Sequence, residues 1–93
     1  MKVLGYSVEI DYSSTHDEME AFGKYLPLQL KIKIANDLCA QQKQSTLLHE
    51  IFEVINSIMK LGLDEQAIMI LEASFYQILT ENGIDLSKLG KLE

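Results

Sequence analysis

The chain is poor in the residues that most often announce a function. It has one cysteine, Cys39, in 93 residues. No disulfide can close within it, which fits a reducing compartment, and a zinc cage built from cysteines is excluded. Basic residues number only eight against fourteen acidic ones, for a formal net charge of −6. They are scattered, apart from the loose pair Lys31 and Lys33. Phosphate backbones are held by clustered cations, so nucleic acid is excluded as a general partner. No run approaches the ~18 consecutive apolar residues of a membrane span, so no membrane is implied. Residues 1–7 lack an apolar stretch followed by a small-residue cleavage site. The expectation is a cytoplasmic protein without a secretory signal. There is no Gly-rich phosphate loop, internal repeat or low-complexity segment.

What is present is an ordinary globular composition, 47% hydrophobic and 24% charged. The length leaves no room for a second core, so residues 1–93 are read as a single domain. In residues 3–12, Leu4, Tyr6, Val8, Ile10 and Tyr12 alternate with Ser7, Glu9 and Asp11. Period two with β-branched and aromatic residues predicts a half-buried strand. Residues 13–26 read as a loop with one helical turn, started by the capping-box spacing of Thr15 and Glu18. His16, Asp17, Glu18 and Glu20 are ligand-type residues there, but a solvated loop explains them. The one proline, Pro27, opens a second alternation: Leu28, Leu30, Ile32 and Ile34 against Gln29, Lys31 and Lys33. Proline suits the first position of a strand because it cannot donate to the ladder. Two antiparallel strands with one wet face need a helix against the other.

Asn36 or Asp37 is placed to cap a helix over residues 40–61, which Gly62 stops. Asp64 caps a second helix over residues 65–81, closed by Asn82-Gly83. Residues 84–93 read as a short turn or tail. The fold class expected is α+β: a small antiparallel sheet of two or more strands followed by two long antiparallel helices.

The first long helix contains His49-Glu50-x-x-Glu53, one residue away from the His-Glu-x-x-His signature of zinc hydrolases. At roughly 100° per residue, Thr46, His49, Glu50, Glu53, Asn56, Ser57 and Lys60 fall in one polar stripe on an otherwise apolar helix. Such a stripe is most simply a solvated face. The same geometry stacks His49 and Glu53 on adjacent turns, where two ligands can chelate one cation. In zinc hydrolases the carboxylate at the position of Glu50 binds no metal. It takes a proton from the attacking water and returns it to the leaving group. In the second helix Glu72 falls among Ile68, Met69, Phe75, Tyr76 and Leu79, inside the apolar arc. A carboxylate there needs a partner. A metal shared with His49 and Glu53 would supply one, and so would a protonated His49 or a gap at the helix edge. Tyr76, one turn on, would aim its hydroxyl at the same pocket as a substrate contact. Cys39, without a placed base, reads as a small buried or capping residue.

The stretches Thr46-Leu47-Leu48-His49-Glu50-Ile51-Phe52-Glu53-Val54-Ile55-Asn56 and Leu71-Glu72-Ala73-Ser74-Phe75-Tyr76-Gln77-Ile78-Leu79, with Leu30-Lys31-Ile32-Lys33-Ile34 upstream, resemble small zincin metallopeptidase domains of the ImmA/IrrE type. The likeness is greatest to short phage and prophage proteins on that plan and covers about two thirds of the chain. The resemblance implies His49 as first metal ligand, Glu50 as general base and Glu72 as third ligand. It departs at Glu53, where those peptidases have histidine. One histidine with two carboxylates is a harder site, which suits manganese or iron as well as zinc. Two functions follow as expectations. One is a metal-dependent hydrolase of peptide-like bonds, with His49, Glu53 and Glu72 holding the metal and Glu50 moving the proton. The other is a zincin-shaped interaction module without metal or catalysis that binds an unidentified protein or peptide. A homodimer through leftover apolar helix surface is compatible with either.

Overall fold

A computed structural model describes residues 1–91. The fold class is the expected one, α+β with two long helices. The strands differ in detail. Residues 3–12 do not form one continuous strand. Lys2–Val3 (β1) and Tyr6–Ser7 (β2) make a tight antiparallel hairpin. Its two central residues, Leu4 and Gly5, both have positive φ, at 51° and 85°. That is the backbone of a type I′ turn, whose twist suits a two-residue hairpin. The chain then continues as Glu9–Asp11 (β3).

The capping box at Thr15 and Glu18 forms as its spacing predicts and starts a single helical turn, His16–Met19 (α1), whose Met19 is buried. Gly23–Leu26 (β4) follows, where the sequence suggests a loop. Pro27 opens a 3-10 turn over Pro27–Gln29 rather than a strand. Leu30 closes that turn with φ at 48°, its N–H donating to the Pro27 carbonyl. The second strand is therefore only Lys31–Ile34 (β5), and the turn before it folds β4 back antiparallel to it. On the other side β3 runs parallel to β5, against the antiparallel pairing expected of these two segments, because β4 intervenes between them in the chain. The order is β3-β5-β4, with β5 central. Lys31 and Lys33 stay on the wet face, while Ile32 and Ile34 are fully buried.

The first long helix is Ala40–Met59 (α2). Cys39, not Asn36 or Asp37, is its N-cap, and Gln42 reaches back to accept from the Cys39 N–H. Asp37 is engaged by His16 instead. The second is Glu65–Glu81 (α3), where the Asp64 side chain accepts from the Ala67 N–H as predicted. Helix α2 lies between the sheet and α3, its Leu47 and Val54 packing with Val8, Ile32 and Ile34 in the core. The turn over Leu86–Lys91 rests on α2. Leu92 and Glu93, the end of the tail reading, lie outside the described residues. Among the described residues no helix is long and apolar enough to cross a membrane.

Candidate metal centre

The connection between the helices sets up the site. Helix α2 ends at Lys60 in a left-handed conformation (φ 53°), and the Leu61 N–H donates to the Asn56 carbonyl. The Asn56 side chain then grips Leu63 twice, donating to its carbonyl at 3.1 Å and accepting from its N–H at 3.0 Å. With five residues so fixed, α3 turns back along α2. Contacts step backward on α2 (Asn56, His49, Ser45) as they step forward through the connection and α3 (Leu63, Glu65, Glu72), so the helices are antiparallel.

His49 is the centre of this arrangement. Its Nδ1 meets Glu72 Oε1 at 3.1 Å, and the other Glu72 oxygen accepts from the Ser45 hydroxyl at 2.6 Å. Its Nε2 lies 2.9 Å from Glu65 and 3.9 Å from Glu53. The sequence-derived set His49, Glu53 and Glu72 is thus brought together around one imidazole, but on two sides of it. The carboxylate at Nδ1 orients the ring so that Nε2 faces Glu65 and Glu53, the arrangement of carboxylate–histidine–metal sites. The group gathered at Nε2 is His49, Glu53 and Glu65, with one ligand atom from each within 4.8 Å of the others. Sequence reasoning missed Glu65. The only signal available was the short connection, which brings the first turn of α3 beside the last turns of α2. The donor set fits a divalent cation: one nitrogen and two carboxylates, held on two helices, with a third carboxylate orienting the ring.

Glu50 does not belong to a solvated stripe. It is only 7% exposed, the one buried charged side chain among the described residues. It points from α2 toward β4, where Gly23 allows close approach. A Cβ on Gly23 would lie 2.5 Å from Thr46 Cγ2 and 3.2 Å from Glu50 Oε2. Burial pushes the Glu50 carboxyl up to about 7; the carboxylates of Glu53 and Glu65 add to the rise and His49 opposes it. Glu53 is also raised, by burial and then by its neighbour Glu65.

His49, Glu50, Glu65 and Glu72 line a cleft of about 340 Å³, walled also by Phe22, Gly23, Thr46 and Met69. A second recess of about 480 Å³ adjoins it through Phe22, Thr46 and Glu72 and extends to Ser45, Ala73 and Tyr76. Tyr76 therefore lines the neighbouring recess, beyond Glu72 from Glu50. The histidine of the first loop behaves differently. His16 pairs with Asp37 and Asp17 at the surface.

Comparison of the chain with protein-family models, with curated proteins and with solved structures finds no match.

Proposed function

We propose that this chain is a divalent-metal-dependent hydrolase acting on a peptide-like bond. The observation that carries the reading is the imidazole of His49, clamped by Glu72 at Nδ1 and turned with Nε2 toward Glu53 and Glu65, in one cleft with the buried Glu50. His49, Glu53 and Glu65 hold the cation; Glu72 acts behind them, as the positioning carboxylate of His49. A cation held there supplies Lewis-acid polarisation of a carbonyl and a more acidic water, and the oxygen-rich donors admit manganese or iron beside zinc. Glu50 handles the proton. A carboxyl that titrates near 7 accepts a proton from water and gives it to a leaving amine at neutral pH. The recess toward Tyr76 accommodates the part of the substrate beyond the reacting bond.

The test begins with metal-free protein. Its melting temperature should rise with added zinc, manganese or iron, since a ligand that binds only the folded state at about 100 times its Kd stabilises by about 2.7 kcal/mol. His49→Ala and Glu65→Gln should abolish the rise. Glu50→Gln should keep it and lose hydrolysis of a peptide library. A melting temperature unmoved by all three metals overturns the proposal.

A second reading rests on the same imidazole. With carboxylates on both ring nitrogens, His49 can bridge Glu72 and Glu65 by hydrogen bonds without any cation. The chain would then be a non-catalytic interaction module. Under that reading His49→Ala destabilises the fold while metals have no effect.

A further inference from the structure

Helix α3 is too apolar for what it covers. Of its 17 residues only Ile68 is buried. Ile70, Phe75 and Ile78 remain 58%, 44% and 55% exposed, and Met59 at the end of α2 is 56% exposed. Phe75 packs at a tilt against Phe52 of α2 with ring centroids 5.2 Å apart, so the apolar surface continues across both helices. Ala67, Leu71, Ser74 and Ile78 recur at spacings of four, three and four, the heptad pattern of a helix seam. No charged residue falls on that line. It lies more than about 100° round the helix from Glu72 and Tyr76, so covering it leaves the cleft open.

We infer that this seam pairs with the same seam of a second copy of the chain, the two α3 helices antiparallel across a two-fold axis between positions 72 and 73. Two observations select a second copy as the occupant. The first is size complementarity. That axis sets Ala67 against the partner's Ile78 and Leu71 against the partner's Ser74, a small residue opposite a large one at each seam position, with Ile70 and Phe75 flanking the seam on either side. An isologous interface requires a patch complementary to itself, and this order of side chains is one. The second is area. The exposed parts of Ile70, Phe75, Ile78 and Met59 amount to roughly 400 Å² of apolar surface, with large side chains of about 200 Å² each. At the apolar share of a homodimer interface this implies about 650 Å² per copy, the lower end of the standard size. Charge sets the salt dependence of that pairing. Two chains of net charge −6 repel, and the same axis sets Asp64 against the partner's Glu81 at each end of an otherwise uncharged seam. The dimer therefore tightens as salt screens the repulsion, whereas a basic partner protein would be released by salt.

Sedimentation of the full chain over a concentration series, at low and high salt, tests this. A reversible monomer–dimer equilibrium with a Kd below about 1 mM is expected, several-fold tighter at high salt. Ile78→Glu and Ile70→Glu, both at side chains more than half exposed, should weaken it at least tenfold with unchanged circular dichroism. Ala67→Leu should also weaken it, and Ala67→Leu combined with Ile78→Ala should recover most of the loss. A chain that stays monomeric to about 1 mM, a dimer loosened by salt, or one indifferent to both glutamate variants overturns the inference. Failure of the paired variant to recover what Ala67→Leu loses overturns the antiparallel register.

Discussion

Replacing Glu50 by glutamine keeps the shape of the side chain and removes its charge, and its effect on stability follows from burial. In the unfolded chain this carboxyl ionises at its ordinary 4.5, and in the folded chain at about 7. Between those values the folded state binds more protons than the unfolded state, so the wild-type protein loses stability as pH rises. At about 1.36 kcal/mol per pH unit, the interval corresponds to a ceiling of about 3.4 kcal/mol. The carboxyl borders an open cleft, where water and side-chain relaxation recover part of the cost, so about 2 kcal/mol is expected. Glu50→Gln should come closest to the wild type at the acid end, near pH 4.5, where the folded-state carboxyl is neutral and the unfolded one is only half ionised. It should exceed it progressively up to pH 8. For a domain of this size about 2 kcal/mol is a difference of about 8–15 °C in melting temperature. Thermal and urea unfolding of both proteins from pH 4.5 to 8.5, with chelator present to exclude adventitious cations, measure it. The difference between the two proteins isolates Glu50 from the parallel contribution of Glu53. Curves that run parallel across the range would refute the claim that Glu50 is desolvated.

Gly23→Ala should cost about 1–3 kcal/mol in urea unfolding through overpacking, because its Cβ would press on Thr46 Cγ2. Thr46→Ser, which removes that methyl group, should restore part of the loss. Glu72→Leu should destabilise by about 1–2 kcal/mol, since it strips the acceptor from both His49 Nδ1 and the Ser45 hydroxyl. If His49 binds metal, the same variant should weaken binding about 10–100-fold. Equal stability of Glu72→Leu and wild type would show that the clamp is not formed. At the surface, the Asp37 carboxylate holds His16 above its ordinary 6.5, and the hydrogen bonds from His16 hold Asp37 below 3.8. The contribution of His16 is complete below pH 6.5 and fades as pH rises through its higher folded value. That of Asp37 is complete above 3.8 and fades as pH falls through its lower folded value. The pair is therefore fully formed between about pH 3.8 and 6.5. Titration of the His16 ring by NMR should show the raised value, and Asp37→Asn should lower it toward the ordinary one, with Asp17 retaining the remainder.

What was legible in the sequence is what depends on neighbours along the chain. The Asp64 cap, the stop at Asn82-Gly83, the capping box of Thr15 and Glu18, and the alternation around Ile32 and Ile34 are all read within a few residues. All of them form. The four-residue spacing of His49 and Glu53 likewise needed only the pitch of a helix. The misread segments are those where local preference was weak or was overridden. Strand β4 begins with glycine, a poor strand former, and it exists because β5 pairs with it and because that glycine slips under Thr46. Leu28 and Leu30 matched the strand alternation but went into a turn, since Pro27 at the first position of a 3-10 segment and the left-handed Leu30 reverse the chain there.

The sequence by itself determined that there are two long helices, that His49, Glu50 and Glu53 lie on neighbouring turns of the first, and that Glu72 needs a partner. Only the tertiary structure decided that the partner is His49, that Glu72 takes Nδ1 while Glu65 and Glu53 take Nε2, and that Glu50 faces a glycine of the sheet rather than water. The reason is geometric. A helix wheel ranks residues by angle around one axis. Which atom of an imidazole meets which carboxylate depends on the rotation and offset of a second helix, which are set by Asn56, the connection to Asp64 and the packing of both helices on the core.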